Sequence, residues 1–283
     1  MFFYIYIFLS LVLFLYLNKI LKKKKILISE TGEIHQKFAS KNKIPLSGGL
    51  FFIFSCIYYF NFELIIFYLF GILIFLLGIL SDLKYFKSAK LRLLIQVFLV
   101  YFFINILDIK IFDTRIYLLD YLLQYSFLNY LFVSFCVLIL INGSNFFDGL
   151  NTLNVGYFLI ISLFIFYLNL NDEINLYNFP LKYLLISLSV IYILNLFNKI
   201  FLGDSGSYLL GLFFSIFLIF IYRWNSHISP FFIILLLWYP SFENLFSILR
   251  KNILNKSPMR PDSNHLHQLI FYFIKKKMNI RNT

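Results

Sequence analysis

The chain alternates between long apolar runs and short polar breaks. The runs approach the roughly 20 residues needed to cross a hydrocarbon core about 30 Å thick. They fall at about 2–21, 46–62, 64–80, 91–107, 122–142, 154–169, 181–198, 207–222 and 229–248. Backbone in lipid must satisfy its own hydrogen bonds, so each run predicts an α-helix. The pattern predicts an all-α, polytopic integral membrane protein of about nine transmembrane helices. No polar block is long enough for a soluble domain, so residues 1–283 read as a single transmembrane domain.

Composition agrees. Of the 283 residues, 61% are hydrophobic and 13% are charged, about half the charged share of a soluble domain. Cys56 and Cys136 both lie inside apolar runs, which predicts packed thiols and no disulfide. The first run has its basic residues after it, which predicts a retained first helix and not a cleaved signal peptide.

Positive charge assigns sides. Lys22-Lys23-Lys24-Lys25 makes 22–45 cytoplasmic, and alternation places 81–90, 143–153, 199–206 and 249–283 with it. Of the 25 Lys and Arg residues, all but Lys110, Arg115, Lys182 and Arg223 fall on that side. The net charge of +12 therefore reads as topology and attraction to anionic lipid in a bilayer. No nucleic-acid motif accompanies it, and no nucleic-acid partner is expected.

The acidic residues change the picture more. Asp82, Asp148, Asp204 and Asp262 lie in four inner breaks, the first three at helix ends. Carboxylates gathered there would raise one another's pKa. A hard divalent cation such as Mg²⁺ relieves that repulsion.

Each polar break offers chemistry beside a plainer reading. In "FLGDSGS" (201–207), Asp204 and Ser205 stand among glycines at a helix start, where free N–H groups suit a phosphate; a plain N-cap would use the same residues. In "NGSNFFDGLN" (142–151), Asn142, Asn145, Asp148 and Asn151 recur every third residue, roughly along one helix side. In "SDLKYFKSAKLRLLIQ" (81–96), Asp82 stands near Lys84, Lys87, Lys90 and Arg92, as does any positive-inside break. "KNKIPLSGGL" (41–50) adds Lys43 at a helix entrance. In "MRPDSNHLHQ" (259–268), the i, i+2 spacing of His265 and His267 puts them on opposite sides of a helix, so a chelating pair is not expected. One of them, or Arg260, could meet a pyrophosphate. Glu243 is ionisable within a span, which marks a functional candidate; pairing with Arg250 or Lys251 is the simpler account.

Taken together, Ile44-Pro45, Gly48-Gly49, "SDLK…KLRLLIQ", "NGSNFFDGLN", "FLGDSGS" and "PDSNHLHQL" resemble, in order and over about 41–270, the polyprenyl-phosphate N-acetylhexosamine-1-phosphate transferases. The resemblance implies a bacterial cytoplasmic-membrane enzyme with its active site facing the cytoplasm. Such enzymes move a sugar-1-phosphate from a UDP-N-acetylhexosamine to undecaprenyl phosphate, release UMP and use Mg²⁺. It implies Asp204 as metal ligand and Asp82 beside the metal and the lipid phosphate. It implies Asp148 and Asn145 at the nucleotide-sugar, and His265 and His267 near the diphosphate. Lys43 and Lys90 match basic phosphate-binding positions, and Ser205, Arg260 and Asn151 complete the expected substrate contacts. A homodimer is a family-based expectation.

Three positions depart from the family pattern. Ser81 replaces the first Asp of an Asp-Asp pair, and a hydroxyl cannot serve as a carboxylate base. Asn151 replaces an Asp. The chain stops soon after the His loop, where relatives continue with further helices. The last loop reads "NHLHQL" and lacks the triple-His-Phe-Glu pattern of the peptidoglycan-precursor branch, which favours UDP-GlcNAc or a related donor for a surface glycan. Two other classes stand beside this one: a membrane homologue that binds lipid or nucleotide-sugar without turnover, and, last, a small-solute transporter.

Overall fold

The computed structural model describes residues 2–29, 44–58, 65–177, 179–255, 257 and 265–277. Lys43, Arg260 and Asp262 lie outside the described residues. Twelve helices follow in order: α1 (Phe2–Lys24), α2 (Gly48–Ile57), α3 (Ile65–Asp82), α4 (Ala89–Ile106), α5 (Tyr117–Leu123), α6 (Ser126–Phe147), α7 (Leu153–Leu170), α8 (Leu181–Leu196), α9 (Gly203–Trp224), α10 (Pro230–Leu236), α11 (Trp238–Ile253) and α12 (Leu266–Lys277).

All nine apolar runs contain helix, yet the count of nine spans is not reached among the described residues. Six helices are long and apolar enough to cross a bilayer: α1, α3, α4, α6, α7 and α9. A seventh is reached if α10 and α11 form one span, and these two are bent by 74°. The described part of α2 and the whole of α8 run to 10 and 16 residues, about 15 and 24 Å at 1.5 Å per residue, short of the hydrocarbon core. The break after α10 has an identifiable cause. Pro240 lacks the N–H that would bond the Leu236 carbonyl, and its ring would clash there. The Tyr157 hydroxyl takes that carbonyl instead, at 2.6 Å.

α9 is the axis of the bundle. It is buried along nearly its whole length, with α3, α6 and α2 packed around it. Lipid is as apolar as leucine, so close van der Waals packing, more than water exclusion, holds such helices together. Small residues permit the approach: a Cβ built on Gly78 of α3 would lie 2.3 Å from Ser205 Cα. Farther along, Phe214 of α9 stacks on Phe158 of α7, with centroids 4.3 Å apart. Large apolar side chains on the outer helices, such as Phe98, Leu163 and Ile234, are left exposed, as a lipid-facing surface requires.

At one end of the bundle, backbone pairing ties the entrance of α2 to that of α9. Phe201 N–H donates to Pro45 O at 2.9 Å, and Gly48 N–H donates to Phe201 O at 2.9 Å. The Ile44-Pro45 and "FLGDSGS" segments are thereby fixed together. At the other end, buried Asn129 clasps the α4–α6 connection, accepting from Ile111 N–H at 3.0 Å and donating to Leu123 O at 2.8 Å.

Candidate active site

Three helices run past their apolar pattern, by two residues in α3, five in α6 and four in α9, and these extensions bring in the carboxylates. α3 ends on Asp82 itself, α6 continues to Phe147 with Asp148 capping it, and α9 begins at Gly203. Asn142 and Asn145 are therefore helical and not in a loop. Their polar side chains meet other helices: Asn142 donates to Gln96 of α4 at 3.1 Å, and Asn145 to the Tyr208 hydroxyl of α9 at 3.4 Å.

Asp82 reaches across to α9. Its Oδ1 accepts the Asp204 N–H at 2.9 Å, and its Oδ2 accepts the Ser205 N–H at 3.1 Å. A helix N-terminus leaves such N–H groups without partners, and its dipole favours negative charge. The open helix start expected from "FLGDSGS" is therefore already capped, by a carboxylate from another helix. Gly203 makes this possible. Its φ is +71°, and a Cβ there would sit 2.8 Å from Asp82 Oδ2. Ser205 is buried against α3 beneath this cap, which places it behind the Asp82 carboxylate and not on an open binding surface.

Asp204 is held from its side chain. Arg92 Nη1 donates to Asp204 Oδ2 at 2.6 Å, and both side chains remain about a quarter exposed, at 23% and 25%. The Ser81 hydroxyl donates to the same oxygen and accepts from Arg92. The departure from the family pattern at Ser81 thus removes a negative charge and substitutes a bridge between Arg92 and Asp204. Arg92 is the site residue that sequence reasoning passed over. It was legible only as one cation among several in a basic break. Lys90, expected on a phosphate, lies exposed in the first turn of α4, while Arg92 turns inward.

Asp148 sits beside this pair. Burial pushes its carboxyl well above the ordinary carboxylate range. Hydrogen bonds from Ser207 and Asn154 oppose the rise, and the charges of Asp204 and Asp82 add to it. Asn154 itself donates to Ser144 O at 3.0 Å and Ser207 Oγ at 3.2 Å, joining α6, α7 and α9 under the carboxylate. Asn151, expected among the substrate contacts, donates to Asn198 where the α7 start meets the α8 end.

The histidines correct the opposite-sides expectation. His265 lies just before α12, so helical spacing does not apply to it. The two rings are parallel, with an interplanar angle of 5° and centroids 5.7 Å apart. Nδ1 of His265 meets Glu243 Oε2 at 2.8 Å, and the Leu266 N–H donates to Glu243 Oε1 at 2.7 Å. Glu243 is thus held by the His loop. His267 pairs with the Tyr239 hydroxyl at 3.0 Å. Burial pushes His267 down to about 4, and the charge of His265 adds to the fall.

Among the described residues, no three His, Cys, Asp or Glu side chains are grouped to hold a metal alone. Mg²⁺ seldom needs such a cage, since it keeps waters and binds through one or two carboxylates and a substrate phosphate. The donor set fits that use. Asp82 and Asp204 bring carboxylate oxygens, hard donors, to one bundle end beside the Arg92 guanidinium.

Residues 64–222 match glycosyl transferase family 4. The chain is 30% identical over 208 residues to an undecaprenyl-phosphate alpha-N-acetylglucosaminyl 1-phosphate transferase of Thermotoga maritima, covering 72% of this chain and 60% of that one. It is 30% identical over 212 residues to a probable undecaprenyl-phosphate N-acetylglucosaminyl 1-phosphate transferase of Bacillus subtilis, covering 71% of this chain and 56% of that one. The chain thus spans less than two thirds of the length of these curated relatives.

Proposed function

Since the chain belongs to glycosyl transferase family 4, we propose that it transfers an N-acetylhexosamine-1-phosphate, of the GlcNAc type, from a UDP-sugar to undecaprenyl phosphate and releases UMP. The observation that carries this reading is the meeting of Asp82, Asp148 and Asp204 with Arg92 at one end of a membrane-spanning bundle. There a lipid phosphate and a soluble nucleotide-sugar can both arrive. The basic breaks at that end support a bacterial cytoplasmic membrane, with the site facing the cytoplasm and the product starting a lipid-linked surface glycan.

In this reading an oxygen of the lipid phosphate attacks the phosphorus bonded to the sugar. The bond from that phosphorus to the bridging oxygen breaks, and UMP leaves with the electron pair. Positioning and electrostatics then carry the rate, because phosphoryl transfer needs little covalent help. Asp204 and Asp82 would hold Mg²⁺, whose bound charge would offset that of the donor diphosphate. Arg92 orients the Asp204 carboxylate through Oδ2. Asp82 fixes the first turn of α9, and with it the direction of Asp204. Asn145 and Asp148 offer an amide and a carboxyl to the nucleotide-sugar, and His265 and His267 stand at its diphosphate.

The test uses membranes holding the chain, undecaprenyl phosphate, Mg²⁺ and radiolabelled UDP-GlcNAc. Label should enter the lipid phase, and Asp204→Asn or EDTA should abolish it. A well-inserted chain that moves no label from UDP-GlcNAc or other UDP-N-acetylhexosamines refutes the reading. A second reading, binding without turnover, draws on Ser81, whose hydroxyl stands in a carboxylate's place. UDP-GlcNAc binding with no label transfer would select it.

A further inference from the structure

Glu243 has almost no solvent contact and no part in the chemistry above. It is 2% exposed. A buried carboxylate is costly unless its oxygens are used, and here both are used by neighbouring groups at the start of α12. Oε1 accepts the Leu266 N–H at 2.7 Å, and Oε2 meets His265 Nδ1 at 2.8 Å. α11 is arranged to keep it there. The helix turns Glu243, Asn244, Ser247 and Lys251 inward and leaves Phe242, Phe246 and Leu249 exposed.

The two contacts do different work. The bond from Leu266 N–H caps a helix. The bond at His265 decides which ring nitrogen carries a proton, because a carboxylate can only accept. Nδ1 is thereby the donor, and Nε2 is the atom left for other partners. The ring is also fixed by its neighbours: Phe146 stacks on it with centroids 5.4 Å apart, and His267 lies parallel to it. His267 is in turn held by Tyr239, and Lys251 approaches the Phe146 ring at 6.0 Å.

We propose that Glu243 is a positioning residue for the transfer reaction, fixing the tautomer and orientation of His265 so that Nε2 faces substrate phosphate. This rests on the transferase reading and deepens it. With Nδ1–H held by Glu243, a charged His265 donates Nε2–H to a phosphate oxygen. A neutral His265 offers the Nε2 lone pair. Either use requires the ring orientation that Glu243 imposes, and the second also requires the proton on Nδ1.

Glu243→Gln separates the two contacts. The glutamine oxygen still accepts the Leu266 N–H, so the cap is kept. Its NH₂ group now donates to Nδ1, which moves the proton of the neutral ring to Nε2. Glu243→Asp keeps the carboxylate on a shorter stem. The experiment uses the full chain in lipid nanodiscs, with ¹⁵N-histidine NMR to read the tautomer and label transfer from UDP-GlcNAc to read turnover. Glu243→Gln should move the His265 proton from Nδ1 to Nε2 and lower kcat about 100-fold or more, with KM within about 2-fold of wild type and an unchanged melting temperature. Glu243→Asp should recover part of the kcat.

Wild-type kcat and tautomer in Glu243→Gln would overturn the proposal. So would a kcat that falls in both variants only as far as their melting temperatures fall. A wild-type chain that moves no label refutes the transferase reading and the catalytic half of this one. The tautomer spectrum then decides alone whether Glu243 fixes His265.

Discussion

Asp82→Asn keeps the size of the side chain and removes its charge and one acceptor. The wild-type carboxylate accepts two N–H groups at the start of α9, at 2.9 and 3.1 Å. It also stands at the C-terminal end of α3, where the helix dipole disfavours an anion. Its position therefore serves α9 at a small cost to α3. Hydrogen bonds to a charged group contribute about 1.5–3 kcal/mol each, against about 1 kcal/mol for a neutral pair. Asparagine can keep one bond through its oxygen. Its NH₂ would face the second N–H and leave that buried donor without a partner, costing about 1–3 kcal/mol. Relief of the α3 dipole returns less than about 1 kcal/mol. Asparagine also escapes the cost of burying a charge and the repulsion of Asp204, so the net loss is about 1–3 kcal/mol, or roughly 2–6 °C in melting temperature for a chain of this size. Thermal unfolding in nanodiscs with EDTA measures it, so that no bound cation contributes. Asp204→Asn is the comparison, because Asp204 N–H still caps onto Asp82 there. If Asp82→Asn melts within about 1 °C of wild type, Asp82 is not the cap of α9, and its role must be sought in substrate contact alone.

Gly203→Ala should cost about 1–2 kcal/mol for a left-handed φ and press a methyl into the Asp82 carboxylate; label transfer should fall with stability, and wild-type behaviour in both would refute the close approach. Asp148 has its pKa raised by burial, so the folded chain binds its proton more tightly than the unfolded one. Stability from this group is full below about pH 4 and is lost as pH rises through its folded pKa. Asp148→Asn should therefore melt higher than wild type at pH 7 while losing label transfer, and a lower melting point at pH 7 would show that the carboxylate is not strained by burial.

The apolar periodicity located the helix cores and the order of the polar breaks, because lipid contact imposes it residue by residue. It could not locate where helices stop. The last turns of α3 and α6 and the first of α9 are polar, since they face one another and not lipid. A hydropathy boundary at 80, 142 or 207 marks the end of the hydrocarbon, and the helix continues past it. Asp82, Asp148 and Asp204 were legible as carboxylates at helix ends. The capping of α9 by Asp82 was not, because it joins residues more than a hundred positions apart. Arg92 was hidden for a related reason. A positive-inside break holds many cations, and only packing selects the one that turns inward. The histidines do not lie on opposite sides of a helix because α12 starts at Leu266, one residue after His265. The break between α10 and α11 did have a sequence signal, Pro240 within an apolar run, which sets where the helix must release a carbonyl.

During synthesis α9 leaves the ribosome after α2, α3 and α6, the helices that come to surround it. Until then these earlier helices lack their central partner, and the close approach at Gly78 has nothing to meet. Asp82 and Arg92 stay uncoupled through that interval, because the backbone and carboxylate that they bind have not yet been made. Docking of α9 brings its first turn under the Asp82 carboxylate and Asp204 against Arg92. A chain interrupted before residue 203 is therefore a set of inserted helices without a site. Docking of α9 brings the carboxylates and Arg92 together, and α11 and the His loop, made later, complete the site.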